Sequence, residues 1–310
     1  MANKKEILIP STNGSNKLHV IEWAPEGNIK AILQLSHGMI EYIDRYDKFA
    51  KYLNERGILV IGGDHLGHGL TAANDEELGY FPAEDGSKTV VDDLYEITKY
   101  TKNKYPKVPY YILGHSMGSF MVRRYIMTYG NEVDGTIIMG TGGQPKLLIY
   151  TARTIVKVLT KIKGSKHRSK LVNKLSFGTY NNKFKPVRTE YDWLTRDESI
   201  VDAYKSNKYC NFLFTLNGYE TLFNTLHFIN KKENIDKIPK DMPIFFVAGD
   251  KDPVGANGVG VNKVFNQYKN LGIKDIKIKL YKDARHEILN EINCEEVFED
   301  IHNWLQDNLK

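Results

Sequence analysis

The sequence is poor in cysteine: among 310 residues there are only Cys210 and Cys294. Two cysteines so far apart exclude a disulfide framework and a cysteine-rich metal site. The chain also lacks a run of about 18 apolar residues, the length that a membrane-spanning helix needs. The lysines near the amino terminus are not followed by an apolar stretch, so a secretory signal peptide is not predicted. These absences together predict a cytoplasmic protein.

The excess of positive over negative charge is also small: the chain has 43 Lys and Arg and 38 Asp and Glu, which gives a formal net charge of +5. An excess this small, spread over the whole chain, does not predict a nucleic-acid partner, although it suits anionic surfaces or substrates. The sequence has no internal repeat and no low-complexity linker. Its length suits one large α/β domain, or such a domain carrying an insertion.

Short apolar runs alternate with helix-period segments along most of the chain. This pattern is typical of buried parallel strands joined by crossover helices, so we predict an α/β fold with a mostly parallel sheet flanked by helices. The first predicted strand is Leu18–Trp23. Further runs read as strands lie at 31–38, 58–64, 109–116, 133–143, 242–250 and 276–284.

The alternation stops after Gly143, where a basic segment rich in tyrosine and asparagine reads as helical. We therefore predict a core made of residues 1–143 and 220–310, interrupted by a helical cap over residues 144–219. The first cap helix carries an apolar stripe that either lines an acyl pocket or packs on the core: Leu148, Ala152, Ile155, Val156, Leu159 and Ile162. Its other side is basic, which predicts transient contact with an anionic membrane surface.

One serine stands between two glycines where an apolar strand gives way to a helix, in Gly114-His115-Ser116-Met117-Gly118. Gly-x-Ser-x-Gly at a strand-to-helix turn is the nucleophile elbow, which exposes the serine oxygen above the sheet. The alternative is an ordinary turn serine. In the elbow interpretation, the backbone N–H of Met117 at the helix start is one donor to a developing oxyanion.

A serine hydroxyl needs a base and a group that orients that base. Two later strand ends supply them, with Asp250 and Asp252 after one strand and His286 after another. The order serine, acid, histidine is the one expected on this kind of sheet. Spacing from the strand allows either aspartate to be the acid that orients the histidine.

Five motifs occur together: LSHGMIEYIDRY, DHLGHGLT, LGHSMGS, GDKDPVG and DARHEILNE. In this combination the chain resembles the monoacylglycerol lipase and lysophospholipase branch of the α/β-hydrolase superfamily, over residues 18–143 and 242–309. The resemblance implies the α/β-hydrolase fold. It also implies that Asp252, three residues after Gly249, is the acid, and that the N–H of Met39, after His-Gly, is the second oxyanion donor.

The implied function is a serine hydrolase that cleaves carboxylic esters, of monoacylglycerol or lysophospholipid type, through an acyl-enzyme intermediate and without a cofactor. The alternatives are a small-ester carboxylesterase and a peptidase that removes N-terminal residues. The peptidase would need acidic cap residues to hold an amino group, and the candidates are Glu190, Asp192, Asp197 and Glu198. A non-catalytic ligand-binding module predicts a missing triad member, and none is missing. The oligomeric state is not predicted.

Several other residues are given structural interpretations. His65-x-x-His68 resembles a metal-ligand pair, but the glycine-rich context favours a turn beside the active site, and a metal is not predicted. Arg123 and Arg124 are expected on a solvated or salt-bridged helix face. Glu287 and Glu291, which flank His286, are expected to make structural hydrogen bonds.

Overall fold

A computed structural model describes residues 3–309 of the protein. Its centre is an eight-stranded sheet. The strands are β1 Asn3–Pro10, β2 Lys17–Ala24, β3 Ala31–Ser36, β4 Ile58–Gly63, β5 Tyr110–His115, β6 Gly135–Met139, β7 Ile244–Gly249 and β8 Ile276–Tyr281. Their order in the sheet is β1-β2-β4-β3-β5-β6-β7-β8. Strands β3 to β8 are parallel, whereas β2 pairs antiparallel with both β1 and β4. The predicted α/β fold is confirmed.

Strand β1 was not predicted from the sequence. It lies at the edge of the sheet, where β2 is its one neighbouring strand within residues 3–309, and most of its side chains are exposed. An edge strand does not need the continuous apolar run that marks a buried parallel strand, and charged residues there discourage pairing with other chains. Its polar first half, Asn3 to Glu6, therefore carries no strand signal.

Helices cover both faces of the sheet. They are α1 Asp47–Asn54, α2 Gly86–Lys104, α3 Met117–Tyr129, α4 Lys146–Lys163, α5 Lys170–Phe177, α6 Glu198–Ser206, α7 Leu216–Ile229, α8 Lys232–Ile235, α9 Val259–Asn270 and α10 Cys294–Asp307. One face packs against α1 and α10, where the rings of Phe49 and Phe298 lie 5.0 Å apart. The other face packs against α2, α3, α7 and α9. None of the helices within residues 3–309 is long and apolar enough to cross a membrane. Short 3₁₀ turns lie at Ile43–Tyr46, Gly69–Thr71, Asp75–Glu77, Gly130–Glu132, Tyr180–Lys183 and Ile288–Asn290.

The chain between β6 and β7 contains α4 to α8, and α4 packs on α7. The buried residues of α4 are Ile149 and Val156, which are seven positions apart and so share one face. The predicted apolar stripe is therefore wrong in part, because Leu148 and Ile162 are exposed. One edge of the predicted stripe, with Val156, packs on the protein, whereas Leu148 and Ile162 lie toward its exposed edge.

The two arginines of α3 are buried, which contradicts the expected solvated or salt-bridged face. Arg123 is fully buried and donates hydrogen bonds to the Gly142 carbonyl oxygen (3.1 Å), the Thr141 hydroxyl (3.4 Å) and the Tyr268 hydroxyl (3.3 Å). Arg124 donates to the Ser87 hydroxyl and packs over the ring of Phe228. Arg123 thus supports the turn that follows β6, beside the carboxyl edge of the sheet.

Candidate active site

Ser116 occupies the sharp turn between β5 and α3. Its backbone angles are φ 53° and ψ −119°, a conformation that non-glycine residues rarely adopt. A Cβ at Gly114 would overlap the carbonyl group of Gly118, and one at Gly118 would overlap the carbonyl oxygen of Ser36. Both positions of the motif therefore require glycine. The Ser116 side chain makes no capping hydrogen bond to α3, so its hydroxyl is not committed to holding the helix end.

Two backbone N–H groups lie beside this turn. Met117 is the first residue of α3, and Met39 follows β3, the neighbour of β5 in the sheet. A Cβ at Gly38 would lie 3.1 Å from the Cβ of Ser116, which shows how closely the loop after β3 approaches the serine. Within residues 3–309, neither Met39 nor Met117 donates its backbone N–H to a hydrogen bond. Both donors are available to a ligand.

The side chain of His37 fixes the peptide that carries one of these donors. Its Nε2 accepts a hydrogen bond from the backbone N–H of His65 (3.0 Å), so its Nδ1 is the protonated nitrogen that donates to the Gly38 carbonyl oxygen (2.8 Å). Burial lowers the pKa of His37, in keeping with a neutral ring. In a trans peptide the C=O and N–H point in opposite directions, so holding the Gly38 carbonyl also orients the Met39 N–H. Sequence reasoning missed this role.

Asp252 and His286 are brought together at the ends of β7 and β8. His286 Nδ1 lies 2.9 Å from Asp252 Oδ2, and both side chains are buried. The two atoms are not in line for an ideal hydrogen bond, and neither has another hydrogen-bond partner among the described residues. Catalytic hydrogen bonds are often poorly aligned before substrate binds. The other oxygen of Asp252 accepts the backbone N–H of Val254 at 2.8 Å, which holds the carboxylate in place.

Asp250 points to a different partner. Its Oδ1 accepts the backbone N–H of Asp283 at 2.8 Å, and its other oxygen lies 3.3 Å from the Lys251 ammonium group. These contacts tie the loop after β7 to the loop after β8. Of the two aspartates that spacing left open, only Asp252 lies against His286.

Ser116 and His286 border the same short segment after β6. The backbone N–H of Ser116 donates to the Met139 carbonyl oxygen at 3.0 Å. A Cβ on the next residue, Gly140, would lie 3.2 Å from Cε1 of His286. The nucleophile candidate, the histidine and the aspartate therefore gather at the carboxyl edge of the sheet, where α/β proteins bind their ligands.

A buried charged network lies behind His286. His115 places Nδ1 3.0 Å from Glu41 Oε1 and Nε2 3.3 Å from the carbonyl oxygen of His286. Arg45 joins Glu41 to Glu287 with contacts of 2.8 and 2.6 Å. Glu41 Oε1 also accepts the backbone N–H of Gly38 at 2.5 Å, so the network connects the loop after β3 with the histidine loop. The sequence predicted hydrogen bonds for Glu287 but missed Glu41, Arg45 and His115.

The histidines near the predicted turn 64–71 are packed side chains. The rings of His37, His65 and His68 lie 4.1 to 6.2 Å apart, and all three are buried. Burial lowers the pKa of His65, and it lowers that of His68 to about 3, so these rings are neutral. Within the described residues, groups of three or more potential ligands arranged to hold a metal ion are absent.

The elbow, the strand order and the carboxyl-edge site define an α/β-hydrolase. The chain belongs to the serine aminopeptidase S33 family, which matches residues 27–293. It is 25% identical to the monoacylglycerol lipase of Mycolicibacterium smegmatis, over 93% of this chain and 92% of that protein. It is 27% identical to a monoglyceride lipase homolog of Monkeypox virus, over 93% of this chain and 94% of that protein.

Similar solved structures also include an esterase and a lipase. A thermostable carboxyl esterase from Bacillus coagulans, in complex with glycerol, superimposes with a TM-score of 0.92 at 29% identity, covering 99% of each chain. A monoglyceride lipase from Saccharomyces cerevisiae reaches 0.77 at 19% identity, over 99% of this chain and 95% of that one, which supports the fold. The predicted resemblance to monoacylglycerol lipases is confirmed, and the chain is a carboxylic ester hydrolase.

Proposed function

We propose that the protein hydrolyses lipid-like carboxylic esters, of monoacylglycerol or lysophospholipid type, with Ser116, His286 and Asp252 as its catalytic triad. The observation that carries this proposal is the strained serine turn at the same sheet edge as the 2.9 Å Asp252–His286 contact. Strain of this kind persists where the surrounding structure over-determines it, and it clusters at functional sites. The lipid class comes from the relatives, which are named as monoacylglycerol and monoglyceride lipases.

The first half of the reaction makes an acyl-enzyme. Ser116 Oγ attacks the ester carbonyl carbon while Nε2 of His286 takes the hydroxyl proton. The carbonyl oxygen becomes an oxyanion that accepts the N–H groups of Met39 and Met117. The tetrahedral intermediate then collapses, the ester C–O bond breaks, and His286 returns its proton to the leaving alcohol.

The second half releases the acid. Water attacks the acyl carbon and gives a proton to His286, which passes it to Ser116 Oγ as the acyl bond breaks. Asp252 keeps the His286 ring in the tautomer with a proton on Nδ1 and stabilises the imidazolium formed in each half. All proton transfers run between the substrate, water and these side chains, so the scheme needs no cofactor.

We also propose that residues 144–219 form a cap whose first helix, α4, contacts an anionic membrane surface transiently. Exposed apolar residues on α4 lie on one side, at the spacing of a helical stripe: Leu147, Leu148, Val158 and Ile162. Exposed lysines border this stripe at Lys157 and Lys161. Apolar residues beside cations on one helix suit the boundary between lipid headgroups and acyl chains.

The peptidase alternative finds less support in the acidic residues it would need. The Asp192 carboxylate accepts backbone N–H groups of Arg188 and Thr189, and Asp197 caps α6. The guanidinium of Arg188 lies 3.7 Å from Glu198. Asp192 and Asp197 are thus engaged within this part of the chain, which disfavours a role for them in holding a free amino group, whereas Glu190 and Glu198 are exposed.

We place the reaction in the cytoplasm. Cys210 and Cys294 are both buried and unpaired, as is usual in a reducing compartment.

The test uses an alkyl fluorophosphonate, which phosphonylates an activated serine. The wild-type protein should be labelled and should lose esterase activity in step with labelling, whereas Ser116→Ala should not be labelled. Labelling that survives Ser116→Ala would contradict the assignment. A series of nitrophenyl esters then tests the acyl class: we expect kcat/KM to rise from acetate to longer chains. A strict preference for acetate would instead identify a small-ester carboxylesterase.

A further inference from the structure

A short stretch between the 3₁₀ turn at Tyr180–Lys183 and α6, residues 191–196, is joined to the loop that carries His286. The backbone N–H of His286 points at the Trp193 carbonyl oxygen at 3.4 Å, and that of Glu287 donates to the Leu194 carbonyl oxygen at 2.7 Å. The Arg285 guanidinium donates to the carbonyl oxygens of Asp192 and Thr195. Three successive residues of the histidine loop therefore bind this stretch, which we call the 191–196 segment.

Side chains strengthen the same junction. Glu291, which is buried, accepts the Arg196 guanidinium N–H (Nε, 2.8 Å) and the backbone N–H of Arg285 (2.8 Å). The Thr195 hydroxyl donates to the Asn290 carbonyl oxygen at 2.9 Å. One buried carboxylate thus holds both the 191–196 segment and the histidine loop, and leaving that carboxylate without a partner would be costly.

The segment also places an aromatic ring on the histidine. The rings of Trp193 and His286 lie 5.1 Å apart and are tilted by 37°, and Phe177 and Tyr180 pack on the Trp193 ring in turn. His115 is the other ring against His286, at 4.8 Å. Asp252 touches only one ring nitrogen, so it leaves rotation of the imidazole plane free. Aromatic contact with the ring restricts that rotation.

We propose that Trp193 is a positioning residue that holds the imidazole of His286 in its working orientation. The proposal rests on the proposed function, since His286 acts as the base only if Ser116 is the nucleophile. An aromatic ring beside an imidazole also stabilises the imidazolium formed when the proton is taken, an interaction available to any aromatic face. Trp193 lies in the chain between β6 and β7, so through this one side chain the insertion orients the base, in addition to any part that it has in covering the site.

The test compares Trp193→Leu with Trp193→Phe on a short, soluble nitrophenyl ester. We expect Trp193→Leu to lower kcat about tenfold while KM changes less than about threefold, because an orientation lost at the base affects the chemical step. Trp193→Phe keeps an aromatic face and should recover kcat to within about threefold of wild type. Tyr191→Leu is the matched control: its ring packs on Tyr204 rather than on His286, and kcat should stay near the wild-type value.

The outcomes separate the two proposals. A wild-type protein that neither hydrolyses esters nor reacts with the fluorophosphonate overturns the proposed function, and this inference with it. A reactive wild-type protein with an unchanged kcat in Trp193→Leu overturns this inference alone, as does an equal loss in the Leu and Phe variants or a change confined to KM. Thermal unfolding checks each variant. If Trp193→Leu unfolds at the assay temperature, Trp193→Met replaces it with the same expected loss of kcat.

Discussion

The carboxylate of Glu41 and the imidazole of His115 form a buried pair, with Oε1 and Nδ1 3.0 Å apart. Both neighbours of the His115 ring are acceptors, since Nε2 faces the His286 carbonyl oxygen, so both ring nitrogens donate and the ring is charged. Burial opposes that charge, but the hydrogen bond and the charge of Glu41 outweigh it and raise the pKa of His115. For Glu41, burial is outweighed by His115 and Arg45, which lower its pKa.

This pair predicts how Glu41→Gln changes stability with pH. The pKa of His115 is raised in the folded protein. The charged ring therefore contributes fully to the free energy of unfolding below the unfolded-state pKa of about 6.5, and this contribution is lost as pH rises through the folded-state pKa. The pKa of Glu41 is lowered in the folded protein. The carboxylate therefore contributes fully to the free energy of unfolding above the unfolded-state pKa of about 4.3, and this contribution is lost as pH falls through the folded-state pKa. The difference in unfolding free energy between wild type and Glu41→Gln should therefore be largest between these values.

Denaturant unfolding at about pH 5.5 and pH 9 measures this difference. We expect about 3 kcal/mol at the lower pH, in the range for breaking a buried ion pair, and less at the higher pH. The groups that face His115 are Glu41, Asp252, Glu287 and His286, and Arg45 lies behind Glu41. A difference that grows toward pH 9 would show that His115 is neutral and that the pair has been misassigned.

The two aspartates after β7 give the second prediction. Asp252→Asn should lower kcat by about 10⁴, as expected when the group that orients the histidine can no longer select its tautomer. Asp250→Asn should keep kcat within about threefold, because Asp250 binds the Asp283 backbone and not His286. Steady-state hydrolysis of one ester by both variants decides the ranking, and the opposite order would refute the assignment of Asp252.

Most of the sheet was predictable because parallel strands buried on both faces require continuous apolar runs, as in Ile58–Gly63 and Ile244–Gly249. The elbow was predictable for a steric reason, since close approach at Gly114 and Gly118 forces glycine. Edge strand β1 was not predicted because its exposed side chains do not form a continuous apolar run.

The residues missed around the site share a different cause. In a sequence, Glu41 and Arg45 look like surface positions because they are charged. They are buried because each also pairs with a distant residue, Glu41 with His115 and Arg45 with Glu287. Arg123 is buried for a similar reason, with acceptors at the turn after β6. Trp193 contacts His286 only because the chain between β6 and β7 packs against the histidine loop, far along the sequence. Sequence spacing does not encode such long-range partnerships.

Gly118 provides the third prediction, on the elbow itself. In Gly118→Ala the new Cβ would meet the backbone carbonyl oxygens of Ser36 and His37, which cannot move without displacing the loop that carries Met39. We expect loss of most activity and a clear fall in thermal stability. Gly272→Ala is the control, because its Cβ meets no atom within 4 Å and only its φ of 91° is unfavourable, costing about 1–2 kcal/mol. Wild-type kcat in Gly118→Ala would contradict the close approach.

The exposed stripe on α4 gives the fourth prediction. Replacing Leu147 and Ile162 together by serine removes two exposed apolar side chains that do not pack on the protein, so folding and the hydrolysis of a short, soluble ester should be unchanged. Binding to vesicles should weaken, because each buried apolar side chain contributes about 1.5–3 kcal/mol. Co-sedimentation with anionic vesicles, and hydrolysis of a long-chain monoacylglycerol presented in them, measure the effect.

Changing Lys157 and Lys161 together to glutamine separates charge from apolar contact on the same helix. Binding of this variant to anionic vesicles should fall at low salt and approach the wild-type value at high salt, because ions screen the attraction of the lysines for the surface. Binding to neutral vesicles should match the wild type. If both double variants bind anionic vesicles as the wild type does, α4 is not the contact surface.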